Sequence, residues 1–202
     1  MERTGSMEGG EDMERNMERT GSKKDGGNGR VLIVVDMQKD FVDGSLGTAE
    51  AQAIIEKTAE KIRTFDGTVI FTMDTHGPDY LDTQEGKFLP VVHCVKGTPG
   101  WELISPLKEL CEAGGYRRYE KPAFGSVELA RDLKGRYDAG TLSSVELIGV
   151  CTDICVISNA LLIKAFLPEL PVSVDPVCCA GVTKEKHEAA LETMRSCQIL
   201  LP

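Results

Sequence analysis

Three residues that lie far apart in the chain, Asp36, Lys121 and Cys155, could together make a working nucleophile. The thiol would attack, the carboxylate would take its proton, and the ammonium would hold both in a favourable field. Cys155 lies in the stretch Val145–Asn159, which reads Val-Glu-Leu-Ile-Gly-Val-Cys-Thr-Asp-Ile-Cys-Val-Ile-Ser-Asn. The run from Val145 to Val150 suits a buried strand, and Gly149 loosens its end. Thr152 or Asp153 then offers a cap oxygen for a helix that carries Cys155 in its first turn. Free backbone N–H groups and the positive end of a helix dipole favour thiolate over thiol there. The plainer role for such a cysteine is a small buried hydrophobe. For a strand-end Asp it is a turn or cap residue, and for a Lys before Pro a solvated side chain.

A second constellation follows the second apolar run. Asp74 and His76 are two apart just past it, so in extended chain both point to one side, and Glu85 and His93 follow in the same long polar segment. One Asp and two His make a borderline-soft divalent site with room for water, Glu85 or a substrate atom. Asp-x-His also occurs in capped turns. The remaining histidine, His187 in Lys-Glu-Lys-His-Glu, reads as part of a solvated helix face.

These residues must be carried by elements that bring them together. Val31–Asp36 is a continuous β-branched run, as a central parallel strand would be. Further strands are expected at Thr68–Met73, Tyr116–Glu120, Val145–Val150, Val172–Cys178 and Gln198–Leu201. Helices are expected at Gln52–Phe65, Leu103–Cys111, Ser126–Leu133, from the nucleophile to about Phe166, and at Lys184–Ser196. Strands alternating with helices imply a three-layer α/β/α domain with a central, mainly parallel six-stranded sheet of Rossmann-like topology. Ligands in such a sheet bind at the strands' carboxyl ends, and Asp36, Lys121 and Cys155 all fall there. Residues 74–100 form a connection too long to be a mere linker, and long ordered loops usually carry function.

Composition narrows the class. With 202 residues and 41% hydrophobic content the chain can bury one real core. Residues 1–30 repeat Met-Glu-Arg-Thr-Gly-Ser at Met1–Ser6 and Met17–Ser22 and hold no Val, Ile, Leu or aromatic residue, so they read as a disordered leader or an artefact, leaving 31–202 as a single domain. A net charge of −9 without a basic stripe argues against nucleic acid or an anionic membrane as partner. No apolar run approaches the roughly 20 residues of a membrane span, and the N-terminus has no signal-peptide core, so the cytoplasm is expected. The seven cysteines are an odd number without framework spacing, which suits reduced thiols. Pro202 follows the last expected strand directly, which leaves that edge bare or pairs it in a homo-oligomer.

Three segments in order resemble a known family. Asp-Met-Gln-Lys-Asp-Phe at 36–41, continuing Val-Asp-Gly-Ser-Leu-Gly to Gly47, is similar to the opening motif of the nicotinamidases in the isochorismatase-like cysteine hydrolase superfamily. Glu-Lys-Pro-Ala-Phe-Gly-Ser at 120–126 resembles its lysine loop, and Gly-Val-Cys-Thr-Asp-Ile-Cys-Val at 149–156 its nucleophile motif. The resemblance implies a catalytic triad of Asp36, Lys121 and Cys155. It also implies a cis peptide between Val150 and Cys151, and an oxyanion hole from the N–H groups of Cys151 and Cys155. It further implies one divalent ion, zinc first with iron or manganese as alternatives, on Asp74, His76 and His93 with Glu85 as a further ligand. Phe41 and Phe124, with Phe88 and Trp101, are candidates to flank a flat ring. The implied activity is hydrolysis of nicotinamide to nicotinic acid and ammonia through a thioester, with pyrazinamide as surrogate, in pyridine nucleotide salvage. Two other readings stand beside it: a metal-free hydrolase of the same fold acting on an N-carbamoyl or enol-ether substrate, and a non-enzymatic dithiol or binding protein using Cys151 and Cys155. The spacing of those cysteines is not the Cys-x-x-Cys of thioredoxin-like centres.

Overall fold

The computed structural model describes residues 28–202, so the expectation of a disordered leader falls almost wholly outside the described residues. Five strands form one wholly parallel sheet: β1 (Arg30–Val35), β2 (Thr68–Asp74), β3 (Arg117–Lys121), β4 (Ser144–Val150) and β5 (Val172–Ala180), in the order β3-β2-β1-β4-β5. Eight α-helices connect and cover them: α1 (Lys39–Val42), α2 (Ala49–Ala53), α3 (Ile55–Thr64), α4 (Gln84–Phe88), α5 (Leu107–Gly114), α6 (Val127–Asp138), α7 (Ile157–Phe166) and α8 (Lys184–Ser196). Among the described residues no helix is long and apolar enough to cross a membrane.

The continuous apolar run of β1 has a physical counterpart. Val31, Ile33 and Val35 point into a core shared with α6, α7 and α8, while Leu32 and Val34 point into a second core shared with α3 and α5. A strand buried on both faces has no place for alternating polar residues. β1 and β4 are neighbours at the point where strand order reverses, which is where a crevice opens beyond the strand ends. Gly149 at the end of β4 has φ of +114°, and a Cβ there would collide with the Val35 carbonyl oxygen. Glycine is what lets the two strand ends lie this close.

The sheet has five strands, not the six expected. Around Leu200 only a single parallel bridge to Ser173 forms, made by Leu200 N–H to Val172 O and Val174 N–H to Leu200 O, both 2.9 Å. Gln198 turns the chain with a positive φ, and Pro202 has no N–H with which to extend the ladder. The helix expected from Leu103 starts later, at Leu107. Leu103 is held in a bridge to Gln38, Ile104 N–H donates to Met37 O, and Pro106 occupies the N-cap.

Candidate active site and metal centre

The strand ends deliver the triad. Asp36 is the first residue after β1, with φ of +47°, a left-handed conformation that Asp tolerates better than most residues. Asp74 ends β2 and Lys121 ends β3, and the two are register partners. Lys121 Nζ lies 2.6 Å from Asp36 Oδ2, 3.1 Å from Asp74 Oδ1 and 3.3 Å from Cys155 Sγ. One ammonium therefore touches the three groups whose chemistry must be coordinated. The Asp36 and Lys121 side chains have no solvent exposure. Thr72 donates its hydroxyl to Asp36 Oδ1 at 2.7 Å. Asp36 Oδ2 is paired with the Lys121 ammonium at 2.6 Å, so both carboxylate oxygens are held in place.

The electrostatics of the cluster are set by burial and by three charges. Burial first, then the charge of Asp36, with Asp74 adding and Lys121 opposing, pushes the Cys155 thiol well above its ordinary range. Burial therefore opposes the preference for thiolate that a helix start brings. Burial likewise raises the Asp36 carboxyl, against Lys121. Burial alone would lower Lys121, but Asp36, Cys155 and Asp74 outweigh it and hold the ammonium charged. Cys151, lining the same cavity, is pushed up to about 12, mainly by burial.

The turn that carries Cys155 also differs from a capped α-helix. Residues Thr152–Val156 form a π-helical turn before α7, with no side-chain cap, a feature often found at functional sites. Thr152 Oγ1 lies 2.8 Å from Nδ1 of His187, and Asp153 Oδ1 accepts the Val182 N–H at 2.9 Å. Both candidate cap oxygens are thus engaged with the segment around α8. His187 is partly buried there instead of lying on a solvated face. The Val150–Cys151 peptide is cis.

Asp74, His76, Glu85 and His93 offer ligand atoms that all lie within 4.8 Å of one another. His76 Nε2 is 2.8 Å from Asp74 Oδ2, His93 Nε2 is 3.6 Å from the same oxygen, and each Nε2 is 3.8 Å from Glu85 Oε1. His93 Nδ1 lies 2.7 Å from the Val91 carbonyl, an anchor that leaves Nε2 as the ligand atom. His76 Nε2 is buried against the carboxylates of Asp74 and Glu85, and two imidazole nitrogens converging on two carboxylates fit a divalent cation. Asp74 links the two constellations, with Oδ1 toward Lys121 and Oδ2 toward the imidazoles.

Both constellations open into one cavity of about 670 Å³. Phe41, Phe88, Phe124, Asp74, Glu85, His93, Cys151 and Cys155 are among its lining residues. Phe41 packs on the His93 ring at 5.4 Å between centroids. Phe88 is 84% exposed, so it stands at the mouth. Trp101, expected as a flanking ring, is not among the lining residues. Its indole N–H donates to Thr75 Oγ1, and its carbonyl accepts from Gln38 Nε2, both at 2.9 Å.

Several positioning residues had no sequence signal of their own. Gln38 holds Asp74 from both sides, accepting its N–H at 2.7 Å and donating to its carbonyl at 2.9 Å. Asp40 Oδ2 accepts the N–H of Cys94, next to His93, at 2.8 Å. Tyr80 packs on both imidazoles at 4.7 and 4.9 Å and donates its hydroxyl to Leu89 O. Asn159 joins the lysine loop to the nucleophile turn: its amide donates to Phe124 O and Cys155 O, and its Oδ1 accepts the Ser126 N–H. Gln38, Asp40 and Asn159 fall within or beside the quoted motifs, which was the one available pointer.

Known proteins share this architecture. Residues 30–201 match the family described as Isochorismatase domain. The nicotinamidase/pyrazinamidase of Mycobacterium tuberculosis is 30% identical over 185 residues, spanning 85% of this chain and 97% of that protein. The crystal structure of Pyrococcus horikoshii pyrazinamidase in complex with zinc is 31% identical with a TM-score of 0.72, covering 86% of this chain and 98% of that one. A Bacillus subtilis nicotinamidase structure is 25% identical with a TM-score of 0.74, covering 86% and 98%.

Proposed function

The chain belongs to the isochorismatase family, and we propose that within it this protein is a metal-dependent cysteine amidase that hydrolyses nicotinamide to nicotinic acid and ammonia. The observation that carries the reading is the single buried ammonium of Lys121 in contact with Asp36, Asp74 and Cys155. That contact supplies base, nucleophile and a link to the metal ligands in one cluster. Relatives named nicotinamidase and pyrazinamidase support the substrate class.

The proposed reaction starts from a protonated Cys155. Asp36 takes the thiol proton, and Lys121 stabilises the thiolate as it forms. The sulfur attacks the carboxamide carbon. The Cys151 and Cys155 N–H groups meet the oxyanion, a contribution of about 3–4 kcal/mol per donor. Asp36 returns the proton to the amine, the C–N bond breaks, and ammonia leaves a thioester on Cys155. Asp36 then draws a proton from water, which attacks the thioester and releases nicotinic acid while Cys155 regains its proton. Asp74, His76 and His93, with Glu85, would hold a divalent ion of the zinc type. When bound, that ion supplies a Lewis-acid partner for the pyridine nitrogen and so orients the ring. Phe41 and Phe124 would flank the ring, and the cavity leaves room for pyrazinamide as surrogate.

Ammonia release from nicotinamide by the purified protein, with and without chelator, tests the reading. Activity that falls on chelation and returns with zinc supports it. Hydrolysis of N-carbamoyl or enol-ether substrates with none of nicotinamide would move the assignment to another branch of the family.

A further inference from the structure

We propose that His187 is a positioning residue for the thioester chemistry, fixing through Thr152 the turn that presents Cys155 and the Cys151 and Cys155 N–H groups. The inference rests on Cys155 being the nucleophile. Thr152 is wholly buried one residue after Cys151 and three before Cys155. Its Oγ1 lies 2.8 Å from His187 Nδ1, across 35 residues of sequence. Among the described residues that hydroxyl has no other hydrogen-bond partner, so the imidazole is what holds it.

The approach of α8 to the turn is built for this contact. At Gly181 a Cβ would fall 2.9 Å from His187 Cβ and 2.8 Å from Asp153 Oδ1, so the absence of a side chain lets the histidine and the turn close together. Asp153 Oδ1 accepts the Val182 N–H beside it. The two contacts differ in what they can fix. Asp153 ties the outer side of the turn to the 181–183 segment, whereas Thr152 sits directly between the strand end and the nucleophile. The turn's own backbone bonds, Val156 N–H to Cys151 O at 3.1 Å and Ile157 N–H to Thr152 O, set its pitch but not its seat against α8, so a side-chain anchor at its first residue decides where the sulfur and the N–H groups lie relative to Asp36. Misplacement of reacting groups by about 1 Å can cost about 10²-fold in rate. The proposed ring-flanking residues Phe41 and Phe124 lie on other segments, and Ile154, Gly181, Val182 and Lys186 add only part of the cavity wall, so the anchor bears on turnover more than on substrate affinity.

The test compares two variants of nearly equal shape. His187→Asn keeps a polar atom where Nδ1 stands, and His187→Leu puts a methyl group there. The Leu variant should lose about 10- to 100-fold in kcat for nicotinamide with KM within about twofold, while Asn stays within about threefold of wild type. α8 keeps its Thr183 cap and its buried Ala190, Leu191 and Met194 in both, so both should fold, with Leu melting somewhat lower because it strands the buried Thr152 hydroxyl. Thr152→Val removes the contact from the other side, and combined with His187→Leu it should add no further loss. The rate of Cys155 alkylation by iodoacetamide, read by peptide mass, should fall with Leu and not with Asn, whatever the substrate. Equal kcat in Asn and Leu, losses in KM matching those in kcat, or additive losses in the double variant would overturn the proposal. Wild-type protein that alkylates at Cys155 with this dependence yet releases no ammonia from nicotinamide would overturn the substrate reading instead and leave the positioning role supported.

Discussion

Lys121→Met separates stability from catalysis by the sign of their pH dependence. Nζ lies within 3.3 Å of Asp36, Asp74 and Cys155, and the Asp36 side chain has no solvent exposure. Removing one partner of a buried ion pair costs about 3–5 kcal/mol, because the other charge is stranded. Asp36 can escape that cost by taking up a proton. Burial already raises its carboxyl, with Asp74 adding and Lys121 opposing, so loss of Lys121 raises it further. A folded carboxyl with a raised pKa binds its proton more tightly than the unfolded chain does. Its contribution to stability is therefore full below the unfolded value of about 3.9 and is lost as pH rises through the folded pKa. Urea unfolding should show the variant's deficit widening from pH 5 to pH 8 toward about 3–5 kcal/mol. Activity should not recover at the lower pH, since a neutral Asp36 cannot accept the thiol proton, and kcat/KM should stay about 10²–10⁴-fold down throughout. A deficit constant across that range, or activity within tenfold of wild type, would refute the assignment of Asp36 as base and Lys121 as its partner.

Asn159→Leu leaves the Ser126 N–H and the Phe124 and Cys155 carbonyls without this partner. At about 1–3 kcal/mol per unsatisfied buried group, and with the carbonyl of the exposed Phe124 open to water, the loss should be at least about 2 kcal/mol, read by chemical denaturation; an unchanged midpoint would contradict it. Cys155→Ala should abolish turnover with the fold retained by circular dichroism, whereas Cys151→Ala keeps substantial activity, because only its backbone N–H is used. Reversed behaviour would move the nucleophile to Cys151. Chelation or His76→Ala should raise KM and lower kcat/KM for nicotinamide while Cys155 alkylates near the wild-type rate. Benzamide, lacking the ring nitrogen, should be a poor substrate whose rate changes little on chelation. Equal turnover of the two amides would sink the metal-ligand assignment.

Most of the strands were legible as short apolar runs, whereas β3, Arg-Arg-Tyr-Glu-Lys, is polar and was placed by its position between helices. Asp36, Asp74, Lys121 and Cys155 follow from topology once five parallel strands are placed. The divalent cluster was legible from Asp-x-His at a strand end, with Glu85 and His93 in one loop. What escaped depends on contacts between distant segments. Hydropathy gives no hint that Thr152 turns to His187 instead of capping a helix, since a cap and a cross-chain hydrogen bond need the same hydroxyl. Trp101 reads equally well as a pocket wall or as a prop for Thr75. The lost sixth strand was a matter of ladder length, which a short apolar segment ending in Pro cannot reveal. How far Cys155 is shifted was not legible either, because a helix start favours thiolate while burial beside Asp36 and Asp74 opposes it.

The most direct measurement is to trap the covalent intermediate. Metal-loaded protein mixed with nicotinamide, quenched in acid during turnover and digested, should yield a nicotinoyl thioester on the peptide containing Cys155, absent in Cys155→Ala and present in Cys151→Ala. Acylation of Cys151, or ammonia release at full rate with every cysteine peptide unmodified under conditions that preserve a model thioester, would contradict the account.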